Sequence, residues 1–71
     1  MTTDQFESRI REHLRRDPFK PFIIRTDAYK DIVVDNPQAV ALSAGGIGYI
    51  APDQIYFIES QQVIDIRAEN S

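Results

Sequence analysis

The sequence predicts an α+β fold, in which one N-terminal helix precedes a five-stranded antiparallel sheet that curls into a small barrel. Apolar residues recur at helical spacing as far as residue 14, and from residue 22 they alternate or form short β-branched clusters. Residues 17–22 separate the two patterns with two prolines, which interrupt helices. The later connections are too short for crossover helices, which excludes a parallel sheet.

The helix is predicted over residues 4–16. Asp4 and Glu7 have the spacing of a capping box, and Arg15 and Arg16 would lie in the last turn, where cations complement the helix dipole. Three apolar side chains fall within about 80° of one another on a helical wheel. They are Phe6, Ile10 and Leu14.

The joint at residues 17–22 is expected to fold the helix back over the barrel mouth or sheet face. Phe19 and Phe22 would anchor the joint in the core, with Lys20 pointing outward. The side chains predicted to form the core are Phe6, Ile10, Leu14, Phe19, Phe22, Ile24, Leu42 and Ile66.

The remainder of the chain, residues 22–67, is predicted to form short antiparallel strands. Five or six strands are expected, and the candidates are residues 22–26, 31–34, 39–43, 47–51, 55–59 and 63–67, of which the last two are the ambiguous ones. Residues 27–30 suggest a tight turn, residues 44–46 supply the positive φ of a hairpin turn, and residues 60–62 suit either a hairpin loop or one helical turn. A flat open meander would leave two unpaired edge strands, and closing the sheet into a barrel removes them. The alternative architecture is an open, curled sheet with the helix packed across one face.

Size and composition predict one soluble domain over residues 1–71. The chain is 42% hydrophobic and has no Cys, so neither a disulfide nor a thiolate metal site supplements its core. A chain of this length buries only about 60% of its unfolded surface, which favours self-association as a further source of stability. No signal peptide or long apolar segment is visible, and we therefore expect a cytoplasmic protein.

The basic residues are the first candidate binding feature. Residues 1–30 carry a net charge of +2 and residues 31–71 a net charge of −5. The candidate contacts to a nucleic acid or other anion are Arg9, Arg16, Lys20 and Arg25. A solvated helix face with cations near its C-terminal end is the simpler interpretation of the same residues.

Aromatic and paired apolar residues are the second candidate feature. Tyr56 and Phe57 are adjacent and must face opposite sides of a strand, so at least one of them can lie outside the core. Pairs such as Ile23 with Ile24 likewise place apolar groups on both faces. The candidate interface residues are Tyr29, Tyr56 and Phe57.

No catalytic, cofactor or metal site is predicted. His13 is the only histidine, and no nucleophile motif or metal-ligand spacing accompanies it. Asp27, Asp31 and Asp35 recur every four residues, which could suggest a calcium loop, but residues 32–34 interrupt any EF-hand pattern, so ordinary turn and strand carboxylates are the simpler interpretation. Gly48 is interpreted as the site of a bulge or a sharp bend in its strand.

The segment P-F-K-P-F at residues 18–22, the strand after it and a final V-I-D-I-R strand at residues 63–67 resemble a group of short uncharacterised bacterial proteins. Those proteins open with a charged helix and carry a P-F-(R/K)-P-F pattern before a D-G-R-type turn. The chain differs from them at Ala28, where glycine is usual. The resemblance covers most of the chain and implies no known activity.

The order of one helix and five short strands also resembles the Sm and Hfq-like RNA-binding proteins, which have SH3-like small barrels. This likeness is architectural, since the characteristic sequence motifs of those proteins are missing here. We therefore expect a non-catalytic protein-interaction or oligomerisation module, which associates with itself or with another protein. The alternative is an Sm-like RNA-binding protein that uses its basic helix.

Overall fold

The computed structural model describes residues 1–27 and 31–69, which form one helix and six strands. Helix α1 spans Thr3–Leu14. The strands are β1 Phe22–Thr26, β2 Ile32–Val34, β3 Val40–Ser43, β4 Gly46–Ile50, β5 Ile55–Glu59 and β6 Val63–Ala68. Single 3₁₀ turns at Pro37–Ala39 and Ser60–Gln62 precede β3 and β6. The tight turn predicted at residues 27–30 lies largely outside the described residues.

The strands form two three-stranded antiparallel sheets, in the orders β2–β1–β6 and β3–β4–β5. This confirms the α+β class, but not the single five-stranded barrel, because neither sheet closes within the described residues. Strands β2 and β3 belong to different sheets, and the chain between them turns at Asn36, whose side-chain oxygen Oδ1 accepts a hydrogen bond from the backbone N–H of Gln38. That contact, with Pro37 after it, starts a 3₁₀ turn instead of continuing the strand.

The helix begins two residues earlier than a cap at Asp4 would place it. The Thr2 hydroxyl accepts from the backbone N–H of Gln5 at 3.2 Å, and the Gln5 side chain accepts from the backbone N–H of Thr2 at 3.3 Å. This is a reciprocal capping box, with the spacing that the sequence also has at Asp4 and Glu7. Asp4 lies instead in the first turn, where its carboxylate faces the positive end of the helix dipole.

One core lies between the helix and the two sheets. Five of the eight predicted core residues are buried, namely Phe6, Ile10, Phe22, Ile24 and Ile66, while Leu14, Phe19 and Leu42 pack against them half-buried. The core also contains six side chains that the sequence argument did not select. They are Ile32, Val34, Ile47, Tyr49, Ile58 and Val63.

The joint anchors the helix as the sequence predicts. Phe22 is buried, and the half-buried Phe19 meets it edge to face at a centroid distance of 6.2 Å. Lys20 is exposed. His13, in the last turn of α1, also stacks on Phe22 with a centroid distance of 4.9 Å, so this one ring contacts both the helix and the joint.

The bulge lies at a different place from the predicted one. Gly48 pairs in regular register with Ala41 and Phe57, whereas the β1–β6 register shifts between Arg25 and Thr26. Gly45 supplies the positive φ predicted for the β3–β4 hairpin, with φ of 80°.

Candidate interaction surface

The outer side of the β3–β4–β5 sheet is the candidate interaction surface. Residues directly opposite each other in an antiparallel pair share a face, and Ile47 with Ile58 forms a buried pair facing the core. The neighbouring pairs must then point outward. The outward residues Ala41, Gly48, Ile50, Ile55 and Phe57 are called the outer apolar face below.

Three large apolar side chains are exposed on this face. Phe57 is 72% exposed, Ile50 62% and Ile55 57%, and Ile50 and Ile55 are direct cross-strand partners. Scattered exposed apolar residues need no explanation, but a contiguous group on one face of a small sheet indicates a contact surface. The prediction that either Tyr56 or Phe57 would point away from the core is confirmed, with Phe57 outward.

An open hollow of about 510 Å³ adjoins the Phe57 ring. Small residues of the β3–β4 hairpin, among them Ala41 and Gly48, line one side of it, and Phe57, Ile58 and Glu59 of β5 line the other. The ring of Phe57 lies beside Gly48, where a Cβ atom would be 3.7 Å from the ring atom Cε1. The outer apolar face therefore combines a projecting aromatic ring with a recess in the same small area.

The other two predicted interface residues are placed differently. Tyr56 is half-buried on the inner side of the sheet, where its ring stacks on Tyr49 at a centroid distance of 6.3 Å. Tyr29 lies outside the described residues. Ile50 and Ile55 are not among the interface residues predicted from the sequence, although their alternation with Tyr49 and Tyr56 along two adjacent strands is a signal that identifies them.

The four predicted anion contacts do not form one surface. Arg9 donates from Nη2 to the backbone carbonyl of Ile66 and so ties α1 to β6. Arg25 makes an exposed ion pair with Asp31, with 3.4 Å between Nε and Oδ1. Lys20 is exposed on the joint. Two of the four cations are thus engaged within the chain.

Arg9 and Arg16 do meet at one place, an open depression of about 540 Å³ that Glu12 and His13 also line. Burial against the core lowers the pKa of His13 below its ordinary value, and the guanidinium groups of Arg9 and Arg16 lower it further, while Glu12 opposes the shift. Burial and the two neighbouring guanidinium groups therefore favour the neutral form of His13. This arrangement stabilises an uncharged ring packed on Phe22 and is also open to an anion.

Two negative findings apply to the described residues. Across 1–27 and 31–69, no three His, Cys, Asp or Glu side chains lie close enough together to hold a metal ion. No helix in that part of the chain is long and apolar enough to cross a membrane.

No protein-family model matches this chain, and no curated protein or solved structure shows significant similarity to it. The resemblances to the short bacterial proteins and to the Sm-like proteins therefore stay predictions, and the case for function depends on the chain's own surfaces.

Proposed function

We propose that this protein is a non-catalytic oligomerisation module, whose copies associate through the outer apolar face. The observation that carries the proposal is the exposure of Phe57, Ile50 and Ile55 together on two adjacent strands. Burying such a group against a second chain removes apolar surface from water, at about 25 cal/mol per Å² before association costs are subtracted. A 71-residue chain with a thin core gains most from such a contact.

The composition of the face supports this use. Glu59 is the only charged side chain among the outward positions of β3, β4 and β5, and it lies at the hairpin end of the sheet. A contact across the centre of the face therefore buries no charge and avoids the desolvation cost of burying an unpaired charge.

Sedimentation velocity over about 10 µM to 1 mM tests the proposal, because weak protein contacts have dissociation constants in that range. The wild-type chain is expected to show mass that rises with concentration, and Phe57→Thr is expected to remain a monomer. Ile64→Thr is the matched control, since Ile64 is 61% exposed but lies on β6 in the other sheet. A wild-type chain that stays monomeric over the whole concentration range would overturn the proposal. Equal losses of association in Phe57→Thr and Ile64→Thr would also overturn it.

The finer fold assignment belongs to the same proposal: the two sheets are the halves of an open SH3-like or Sm-like small barrel. Its support is the single core cluster shared by both sheets, and the three-residue turn that joins β5 to β6. A solved structure with the two sheets splayed apart or packed as a flat layer would contradict it.

RNA binding by the basic helix is the second candidate, favoured by the depression between Arg9 and Arg16. A gel-shift titration with single-stranded RNA at low salt, comparing Arg16→Gln with Arg11→Gln, tests it. A local site predicts a larger loss for Arg16→Gln, whereas diffuse attraction predicts equal losses. The acidic remainder of the chain, with a net charge of −5 over residues 31–71, disfavours contact with phosphates beyond the helix.

A further inference from the structure

We infer that the depression between Arg9 and Arg16 binds one dianionic phosphate group, and that protonation of His13 tightens this binding. The inference rests on the second candidate function for the location of the site and narrows its ligand. That ligand is free phosphate or the phosphate monoester at the end of a strand, which share one chemistry, and not the internal phosphodiesters of an RNA chain.

The end of the helix brings three basic side chains to one place. His13 follows Arg9 by four residues and precedes Arg16 by three, and residues at these spacings are neighbours on a helix surface. The backbone N–H of Arg16 donates to the carbonyl oxygen of His13 at 3.4 Å, so the turn continues as far as Arg16. All three side chains line the same open depression of about 540 Å³, together with Glu12.

The two guanidinium groups keep their positive charge available for a ligand. The bond from Arg9 to the carbonyl of Ile66 orients the guanidinium but does not neutralise it, because that acceptor carries no charge. The only ion pair among the described residues lies elsewhere, between β1 and the residue that precedes β2, so Glu12 pairs with neither arginine. Guanidinium groups suit a phosphate because they donate to two of its oxygens at once.

Two negative groups oppose an anion at this position. One is the Glu12 carboxylate, and the other is the carbonyl end of α1, which carries about half a negative charge. Residues 9–20 nevertheless contain five basic and two acidic side chains, so their net charge is five minus two, or +3. The positive charge exceeds that of the helix end. Since the depression is open to screening by solvent, we expect a dissociation constant of about 1–10 mM for inorganic phosphate.

His13 links the site to pH. Its ring stacks on the uncharged Phe22 of β1 and also lines the depression. Burial lowers its pKa most, the guanidinium groups of Arg9 and Arg16 lower it further, and Glu12 acts in the opposite direction. An anion between the two arginines would offset their repulsion of a proton on His13. Because coupling between two binding events is reciprocal, protonation of His13 must then strengthen anion binding by the same factor.

The single histidine of the chain makes this coupling measurable by NMR, because its ring proton signal in the untagged protein is unambiguous. The signal is titrated from about pH 5 to 8 in sulfate and in sodium chloride of equal ionic strength. Sulfate is the probe because its charge stays constant over this range, whereas that of phosphate changes. The titration midpoint of His13 is expected to be higher in sulfate. Identical midpoints in the two salts would overturn the inference.

Two variants should change the binding of inorganic phosphate in opposite directions. Arg16→Gln is expected to raise the dissociation constant about threefold or more, and Glu12→Gln to lower it by about the same factor. Arg11→Gln is the matched control, since it removes the same charge from the helix but Arg11 does not line the depression. Equal effects of Arg16→Gln and Arg11→Gln would mean diffuse attraction and would overturn the inference.

A comparison of two RNAs separates this inference from RNA binding in general. A short single strand with a 5′-phosphate is titrated beside the same strand with a 5′-hydroxyl, and the phosphorylated strand is expected to bind about threefold more tightly or better. If both strands bind equally and inorganic phosphate does not bind, the inference is overturned and the RNA candidate stands. If inorganic phosphate binds and neither strand does, the RNA candidate fails and the phosphate site stands.

Discussion

The phenolic hydroxyl of Tyr49 donates a hydrogen bond to Oδ1 of Asp35 at 3.1 Å, and this bond joins the two sheets. Tyr49 belongs to β4, whereas Asp35 directly follows β2 in the other sheet. Tyr49 is only 2% exposed, so its hydroxyl reaches out from the core to a carboxylate at the surface. Without this bond, the Tyr49 hydroxyl would have no hydrogen-bond partner after its ring is buried in the core.

Removing this hydroxyl should loosen the contact between the sheets. Tyr49→Phe is expected to lower the free energy of unfolding by about 1 kcal/mol, the usual net value of one hydrogen bond. Urea unfolding of Tyr49→Phe, Asp35→Ala and the double variant measures the coupling between the two residues. The double variant should lose little more unfolding free energy than either single variant. Fully additive losses would show that the two side chains do not interact.

Alkaline pH should destabilise the fold through the same residue. Burial raises the pKa of Tyr49 above its ordinary value of 10.0; a backbone hydrogen bond with Asp35 opposes this shift, while the side-chain hydrogen bond and the charge of Asp35 add to it. The folded state therefore retains a proton that the unfolded state loses, so stability falls as the pH rises above 10.0. Unfolding midpoints between about pH 9 and 11 should fall more steeply for the wild-type chain than for Tyr49→Phe. Equal slopes would contradict this assignment.

Mild acid should also destabilise the fold, in this case through His13. Its pKa is lowered from 6.5 mainly by burial and then by Arg9 and Arg16, so the unfolded chain binds a proton more readily than the folded chain. The stabilising effect is complete above 6.5 and is lost as the pH falls below it. His13→Gln, which cannot ionise, should flatten the stability profile between about pH 7.5 and 5.5, above the range in which carboxylates titrate. A profile identical to that of the wild-type chain would exclude this role.

The N-terminal cap gives a further test of local structure. Thr2→Ala removes the hydroxyl that accepts from Gln5 and is expected to cost about 1 kcal/mol of unfolding free energy. Asp4→Ala is the matched control, since it loses only an exposed charge in the first turn and should cost about half as much or less. Thermal unfolding compares the two variants. A larger loss for Asp4→Ala would support the cap position that the sequence first suggests.

These residues also show how far the sequence can predict this fold. The spacing of Phe6 and Ile10 locates the helix, because a helix and a strand have different periods. The choice between Thr2 and Asp4 as cap is not encoded in spacing, since both have a suitable partner three residues later. Local patterns therefore predict the elements reliably, but not their boundaries.

The division into two sheets and the role of Gly48 depend on tertiary contacts. A glycine within a strand pattern suggests a bulge, and only the register that places Phe57 opposite Gly48 shows why a small residue is accommodated there. It could be predicted that either Tyr56 or Phe57 faces outward, because two adjacent strand residues cannot both face the core, and the structure shows that the outward residue is Phe57. Its proximity to Ile50 also requires the pairing of β4 with β5, whereas Ile55 lies two residues away on the same face of the same strand.

Two neighbouring glycines of β4 should respond oppositely to the same substitution. A Cβ at Gly46 would lie 2.7 Å from the backbone carbonyl oxygen of Ile58, and a strand backbone cannot yield as a flexible side chain can. Gly46→Ala is therefore expected to cost about 1–3 kcal/mol of unfolding free energy. Gly48→Ala meets only ordinary contacts with the Phe57 ring and restricts the unfolded chain, so it should be neutral or stabilise the fold by up to about 1 kcal/mol.

Urea unfolding of the two variants beside the wild-type chain, at a concentration where each is monomeric, measures this difference. Because the substitution and the strand are the same, strand propensity largely cancels and the contact at position 46 dominates the comparison. Similar losses in both variants would contradict the assignment of the cost at position 46 to the close contact with the Ile58 carbonyl oxygen.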